Sequence, residues 1–307
     1  MRHFLTLTGM KQKEITFLIN NALEIKKHPR RFASAMKNKN LLMIFEAPSL
    51  RTRLSFEVGM NQMGGHAIYY SLSESTLGKK ESIKEFSRVA SRYVDMVTAR
   101  VYDHKMLEEL ARYSTVPVIN SMTNDEHPCQ ILSDLMTIFE KKMTLRLKLA
   151  YLGDGLNNVT HSLLYGCSLV GTDISVASPK GKEYEPAVNV VSTAKKFARA
   201  SGSKIEITSD PKAAVKDADI IYTDSWMSYR IPHSMEKRRA KIFSPYQVNS
   251  KLMHLAKKDA LFMHCLPATR GKEVTDDVID SKQSIIIDQA ENRLHAQKAL
   301  MLRLMKK

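Results

Sequence analysis

From residue 41 onward the chain alternates short, mainly apolar runs, the purest of them Leu41–Phe45, with longer stretches whose apolar residues recur every three to four positions. The runs at 41–45, 66–70, 96–98, 116–120, 147–152, 173–177, 204–207, 220–223, 261–264 and 285–287 read as strands. Those at 51–63, 83–93, 104–113, 128–141, 157–169, 185–201 and 210–215 read as helices, with one more at 11–27 and a closing one from about 289. Strands that are apolar without interruption are buried on both faces, which is the signature of parallel strands covered by helices. Strand–helix alternation therefore predicts an α/β fold of two domains, each with a mostly parallel sheet flanked by helices, linked by interdomain helices. Pro128 suits a first helical turn, and the helix it opens reads as a bridge, with 142–146 as the boundary loop. The expected division is 1–140 and 141–290, with the helix of 291–307 packing back on the first domain.

Bulk properties narrow the class. The 307 residues are 43% hydrophobic and 26% charged, a globular balance. No apolar run approaches the ~20 residues of a membrane span. The first residues lack the apolar core of a secretion signal. Cys129, Cys167 and Cys265 give neither metal-ligand spacing nor an even disulfide set, so a reducing cytoplasm is expected. The formal charge of +15 admits two readings. One is nucleic-acid binding; the other is an enzyme with a basic surface and an anionic substrate. Basic residues are spread along the chain in short clusters such as Lys26-Lys27 and Lys237-Arg238-Arg239, with no nucleic-acid-binding motif, so they read mainly as solvated surface.

Polar clusters follow the strands, where ligands of parallel α/β sheets bind. Ser49-Leu50-Arg51-Thr52-Arg53 opens a helix, where free N–H groups and the dipole favour an anion; the bland reading is a cap with surface arginines. It is not a nucleotide-triphosphate loop. His127-Pro128-Cys129-Gln130 places an imidazole and an amide on a first turn, to polarise a carbonyl or merely to cap. Asp154-Gly155-Leu156-Asn157-Asn158 lacks the third glycine of a dinucleotide fingerprint and offers neutral amides, or only a turn. Asp224-Ser225-Trp226-Met227-Ser228 offers a carboxylate for an amino group, or a cap. In His264-Cys265-Leu266-Pro267-Ala268 the cysteine is a polar contact, a nucleophile or simply buried.

In combination these motifs resemble the aspartate/ornithine carbamoyltransferase family over nearly the whole chain. The 49–53 segment stands where the family has its carbamoyl phosphate motif Ser-Thr-Arg-Thr-Arg, and 127–130 matches His-Pro-x-Gln. His264-Cys265-Leu266-Pro267-Ala268, the 153–158 and 224–228 segments, and Glu291-Asn292-Arg293-Leu294-His295 resemble the ornithine branch. The resemblance implies carbamoyl transfer to ornithine, giving citrulline and phosphate in arginine biosynthesis, in a cytoplasmic homotrimer with no cofactor or metal. Alternatives are another acceptor (N-acetylornithine, putrescine or aspartate) or a basic nucleic-acid-binding protein without catalysis.

The resemblance also implies roles. Arg51, Arg100, His127 and Cys265 would act catalytically. Ser49, the Leu50 backbone, Arg51, Thr52, Thr76, Arg100, His127, Pro128, Cys129, Gln130 and Arg293 would bind carbamoyl phosphate, with Cys265 and Leu266 reaching it across a domain cleft. Asn158, Asp224, Ser228 and the Tyr229 backbone would hold ornithine, and Lys80 would serve a neighbouring subunit's site. Departures fall near the acceptor: Ser228-Tyr229-Arg230 replaces Ser-Met-Gly, Thr76 stands where the ornithine branch often has Gln, and Thr269 where His or an aromatic residue is common.

Overall fold

A computed structural model describes residues 3–75, 77, 80–229 and 231–306. The chain divides into two compact units, 1–136 with 291–307, and 137–290.

The first unit contains α1 (Gln12–Lys27), β1 (Asn40–Phe45), α2 (Leu50–Gln62), β2 (His66–Ser71), α3 (Ile83–Tyr93), β3 (Met96–Arg100), α4 (His104–Tyr113), β4 (Val118–Met122) and the start of α5 (Pro128–Lys142). Its four strands run parallel in the order β2-β1-β3-β4. The buried run Leu41–Phe45 explains why β1 is central. Caps fix the helices: Ser49 accepts from Thr52 N at the start of α2, and Ser82 and Glu85 form a reciprocal capping box on α3.

The second unit contains β5 (Lys148–Leu152), α6 (Asn158–Val170), β6 (Asp173–Ala177), α7 (Val188–Ser201), β7 (Ile205–Thr208), α8 (Pro211–Val215), β8 (Ile220–Thr223), α9 (Glu236–Phe243), α10 (Ser250–Met253), β9 (Leu261–Met263) and α11 (Asp276–Ile279). Its five parallel strands are ordered β7-β6-β5-β8-β9. The closing helix α12 (Ile286–Met305) passes to the first unit at Glu291. There Leu294, Lys298 and Met301 meet Gly59 of α2, where a Cβ would lie 3.4 to 3.5 Å from them. None of the described helices is long and apolar enough to cross a membrane.

The α/β reading with two parallel sheets holds, and three details change. The apolar run at 285–287 is not a strand: only Ser284 bridges Phe262, and α12 begins at Ile286. Three isoleucines suit either state, and the helix that follows takes them up. α7 starts at Val188 instead of 185, because Pro186 disfavours helical backbone at the residue before it. No element is expected between 224 and 260 or between 265 and 284, yet α9 and α10 lie in the first stretch and α11 in the second.

In both sheets the order reverses at one point, between β1 and β3 and between β5 and β8. Loops leaving adjacent strands there turn to opposite faces and open a crevice for ligands.

Candidate active site

In the first unit, the switch point is lined by the end of β1, the start of α2 and the end of β3. Phe45 pairs with Arg100 in the sheet, and Glu46 N donates to the Arg100 carbonyl. The buried Arg100 side chain donates Nε–H to the Ala47 carbonyl at 3.2 Å, which ties it to the loop that follows β1. Ser49 donates its hydroxyl to Thr52 Oγ1 at 3.1 Å, and Thr52 is buried.

Arg293 joins these elements. Its Nη1 donates to Gln130 Oε1 at 2.6 Å and its Nη2 to Thr52 Oγ1 at 3.2 Å. Gln130 in turn donates Nε2–H to Asp134 Oδ1 at 2.8 Å, which fixes its amide so that the oxygen faces the arginine. With the Gln297 amide turned to face the arginine, the Gln297 amide oxygen accepts from Arg293 Nε at 3.1 Å. His127 lies close enough to Arg293 and Arg100 to feel both charges. Burial first, then Arg293 and Arg100, hold its pKa well below the usual imidazole value. A neutral imidazole amid buried guanidinium groups is a hydrogen-bond donor set for a polarised carbonyl beside an anion.

The local sequence explains the loop that delivers His127. Thr123 Oγ1 accepts from the backbone N–H groups of Asp125 and Glu126, and Thr123 N donates to the Glu126 carbonyl at 2.8 Å. The buried Glu126 carboxylate accepts from Thr6 Oγ1 at 2.5 Å and Leu7 N at 3.2 Å, tying in the N-terminal segment. Burial raises its pKa to about 7, against the lowering effect of those hydrogen bonds.

In the second unit, Asn157 caps α6 and donates Nδ2–H to Asp224 Oδ2 at 2.9 Å, joining the loops after β5 and β8. Cys265 Sγ donates to Asp224 Oδ1 at 3.0 Å. Leu266 holds a φ of 59°, a left-handed conformation costly for a branched side chain, and its N–H donates to His264 Nδ1 at 2.9 Å. Such strain concentrates where a backbone group must be aimed. His264 N donates to Gln289 Oε1, and Gln289 Nε2–H donates to Tyr222 Oη at 3.0 Å. Asp224, His264 and Cys265 each offer a donor atom within 4.8 Å of the others, a spacing that can hold a cation.

The structure thus gathers Ser49, Thr52, Arg100, His127, Gln130 and Arg293 in the first unit, and Asp224 with Cys265 in the second. Leu50, exposed, and Arg51, half-buried, share the first turn of α2 with Thr52. Pro128 is the first residue of α5. Cys129 turns inward and donates its thiol to the Asn120 carbonyl at 3.2 Å, and burial pushes that thiol up to about 12. Arg53 pairs with Glu57 and lies 4.1 Å over the Tyr69 ring, so it serves the surface of α2. Asn158 and Ser228 are half-buried, Tyr229 is exposed, and Leu266 flanks Cys265. Lys80 and Thr269 are exposed; Thr76 and Arg230 lie outside the described residues. Sequence reasoning missed Glu126, Asn157 as a partner of Asp224, and Arg239, whose side chain is 3% exposed although its run reads as surface charge. A buried arginine inside a basic run leaves no signal in sequence; its partner Asp154 is visible only in space.

Comparison with known proteins identifies the family. The model for the carbamoyl-P binding domain of aspartate/ornithine carbamoyltransferase matches residues 2–140, and that for the Asp/Orn binding domain matches 146–304. An ornithine carbamoyltransferase of Caldicellulosiruptor saccharolyticus is 50% identical over 305 residues, covering 98% of each chain. The solved ornithine carbamoyltransferase from Pyrococcus furiosus has a TM-score of 0.94 and 50% identity, covering 99% of this chain and 97% of its own. The ornithine transcarbamoylase from Giardia lamblia has a TM-score of 0.92 at 38% identity, covering 100% and 98%. Built on two parallel sheets with polar groups at both switch points, and matched from end to end by these models and relatives, the chain belongs to the aspartate/ornithine carbamoyltransferase family.

Proposed function

We propose that this protein is an ornithine carbamoyltransferase, converting carbamoyl phosphate and L-ornithine to L-citrulline and phosphate. What carries the proposal is Arg293, whose one guanidinium engages Thr52 and Gln130 close to His127, an imidazole that burial first, then Arg293 and Arg100, keep neutral. That is a dense cationic, hydrogen-bonding cradle for a small dianion with a carbonyl attached. Relatives named for the ornithine reaction, one of them from Pyrococcus furiosus and named anabolic, support the acceptor and a role in arginine biosynthesis.

Ser49, the Leu50 backbone, Arg51, Thr52, Arg100 and Arg293 hold the phosphate, aided by the N-terminus of α2. His127, Pro128, Cys129 and Gln130 frame the carbamoyl group. Cys129 acts through its backbone, because its thiol is committed to Asn120. Asn158, Asp224, Ser228 and the Tyr229 backbone hold the α-amino and α-carboxyl groups of ornithine, with Cys265 and Leu266 beside the reacting amine. Residues 1–140 form the donor domain and 141–290 the acceptor domain.

The neutral δ-amine attacks the carbamoyl carbon. The C–O bond to phosphate breaks, phosphate departs with the bonding electrons, and the proton lost by the attacking nitrogen passes to that phosphate. His127, held neutral, donates to the carbamoyl oxygen as it gains charge; Arg51, Thr52 and Arg100 stabilise that oxygen and the leaving phosphate. The positive charge these steps need is supplied by arginine. The amine must first lose its own proton, since a free alkyl ammonium has a pKa of ~10.4.

We further propose a cytoplasmic homotrimer in which Lys80 serves a neighbouring subunit's site; a dissociated, folded monomer is then nearly inactive. The direct test of the function is one donor with a panel of amines: ornithine, N-acetylornithine, putrescine and aspartate. Mass spectrometry should find citrulline as the dominant product. Preferential carbamoylation of another amine would overturn the assignment, as would salt-sensitive nucleic-acid binding without turnover.

A further inference from the structure

Trp226 is the chain's single tryptophan, and it is buried in the loop between Asp224 and Ser228. Its backbone is gripped from two sides. Arg239 of α9 donates Nε–H to the Trp226 carbonyl at 2.6 Å. On the other side the Trp226 backbone hydrogen-bonds the Glu273 carboxylate, which also accepts from Thr269 N at 2.6 Å. The same Arg239 reaches the neighbouring loop: its Nη2 donates to Asp154 Oδ2 at 2.5 Å. Asp154 fixes the turn ahead of Asn157 and Asn158, because its Oδ1 accepts from Leu156 N at 3.0 Å and its carbonyl from Thr160 Oγ1 at 2.8 Å.

The surroundings hold this fork in one orientation. The guanidinium lies 4.7 Å from the Phe243 ring centroid and 5.6 Å from that of Tyr184. Phe243 in turn stacks on the Trp226 ring at 5.8 Å and 23°. Both members of the ion pair are 3% exposed at the side chain. A pair so deeply buried is a poor source of net stability, since desolvation offsets its attraction, so its geometry is the better explanation for its presence. A rigid planar group with divergent donors can span two loops; a lysine ammonium, a single point, cannot hold the same two acceptors in the same geometry.

We infer that Arg239 is a positioning residue for the amino-acid substrate: it sets the spacing between the Asn157–Asn158 loop and the Asp224–Ser228 loop without touching the substrate. This rests on assigning the acceptor to this unit. The consequence is selective. Loosening the fork degrades recognition of the acceptor and leaves the donor cradle of the first unit intact.

The experiment uses R239K and D154N in the full-length enzyme, with KM for each substrate, kcat, and Trp226 emission titrated with ornithine. R239K is expected to raise KM for ornithine by about tenfold or more, with kcat and KM for carbamoyl phosphate within about threefold, because uniform acceptor binding is what is lost. D154N keeps one accepting oxygen but turns its NH2 toward either Leu156 N–H or the Arg239 fork, so it should show the same selectivity at a comparable size. Trp226 emission should move toward that of solvated indole in R239K, with a weaker response to ornithine. The inference is overturned if the ornithine KM stays at the wild-type value while only the melting temperature falls, or if both KM values rise together. Should R239K not fold, D154N alone decides by the same criteria. Failure of the acceptor assignment shows separately, as a wild-type enzyme that makes no citrulline.

Discussion

Arg293 donates to Gln130 Oε1 at 2.6 Å across 163 residues of sequence, so α12 and the first turn of α5 meet at one guanidinium. The same side chain reaches Thr52 at the start of α2, and three separately encoded segments depend on it. Replacing Arg293 by Gln removes a charge aimed at the proposed phosphate site and leaves neutral hydrogen-bonding capacity. We expect kcat/KM for carbamoyl phosphate to fall about 10²–10³-fold, the cost of a lost donor to developing charge. KM for ornithine should change far less. Equal losses for the two substrates in steady-state kinetics would remove Arg293 from the donor site.

His127 yields a pH prediction. Burial and the neighbouring Arg293 and Arg100 charges place its pKa well below 6.5, so it is already neutral in the folded enzyme at pH 6 to 7. The pH profile of kcat/KM for carbamoyl phosphate should carry no inflection from this imidazole in that range. The unfolded chain does bind a proton there, so the stability associated with neutral His127 is lost progressively as pH drops below ~6.5. An imidazole NMR signal, assigned by its disappearance in H127Q, should stay at its neutral position through this interval. A titration midpoint near 6.5 would refute the neutral-donor role.

The strands, the two-sheet division and the positions of the polar clusters were legible because each rests on a local pattern. An unbroken run such as Leu41–Phe45 says buried strand, and a parallel strand places its ligand-facing loop at its C-terminal end. Ser49 and Asn157 announce helix starts by residue type alone. What escaped the sequence is partnership. Arg239 sits in a basic run beside Arg238, and only the fold reveals that one is buried against Asp154. Glu126 carries no mark of burial in the sequence, and only the fold brings Thr6 and Leu7 of the N-terminal segment to its carboxylate. The run at 285–287 escaped for a different reason: its three isoleucines fit a strand and a helix equally well, and helix continuity decides.

Glu126 links the same fold to pH in the opposite sense from His127. Its pKa rises from 4.5 to about 7, mainly by burial. Between those values the folded protein holds a proton that the unfolded chain has released, so this group's contribution to stability falls as pH rises through the window and is flat above it. The full effect is on the order of 3 kcal/mol, from about 1.4 kcal/mol per pKa unit. E126Q cannot ionise. Its loss of one acceptor adds a pH-independent offset, so the informative quantity is the slope: the melting temperature of the wild type relative to E126Q should decline from pH 5 to pH 8. A difference that stays constant over this range would show that Glu126 is ionised throughout.

Gly155 tests how rigid the turn ahead of Asn157 must be. A Cβ built there would lie 2.6 Å from Pro186 Cδ, 2.6 Å from the Tyr184 carbonyl oxygen and 2.9 Å from Pro186 N. Two of these are backbone atoms and the third is a rigid ring, so none can rotate aside. The turn itself must move, and it carries Asp154, Asn157 and Asn158. G155A should therefore cost about 1–3 kcal/mol, the usual range for overpacking a tight site, and should raise KM for ornithine more than KM for carbamoyl phosphate. Gly9 provides the control, since nothing lies within 4 Å of its virtual Cβ; G9A should stay within about 0.5 kcal/mol of wild type. Thermal melts and two-substrate kinetics on the pair separate the effects. A G155A enzyme as stable as G9A and unchanged toward ornithine would mean that the turn yields without disturbing the acceptor loops, and that their spacing is less tightly set than the Arg239 fork implies.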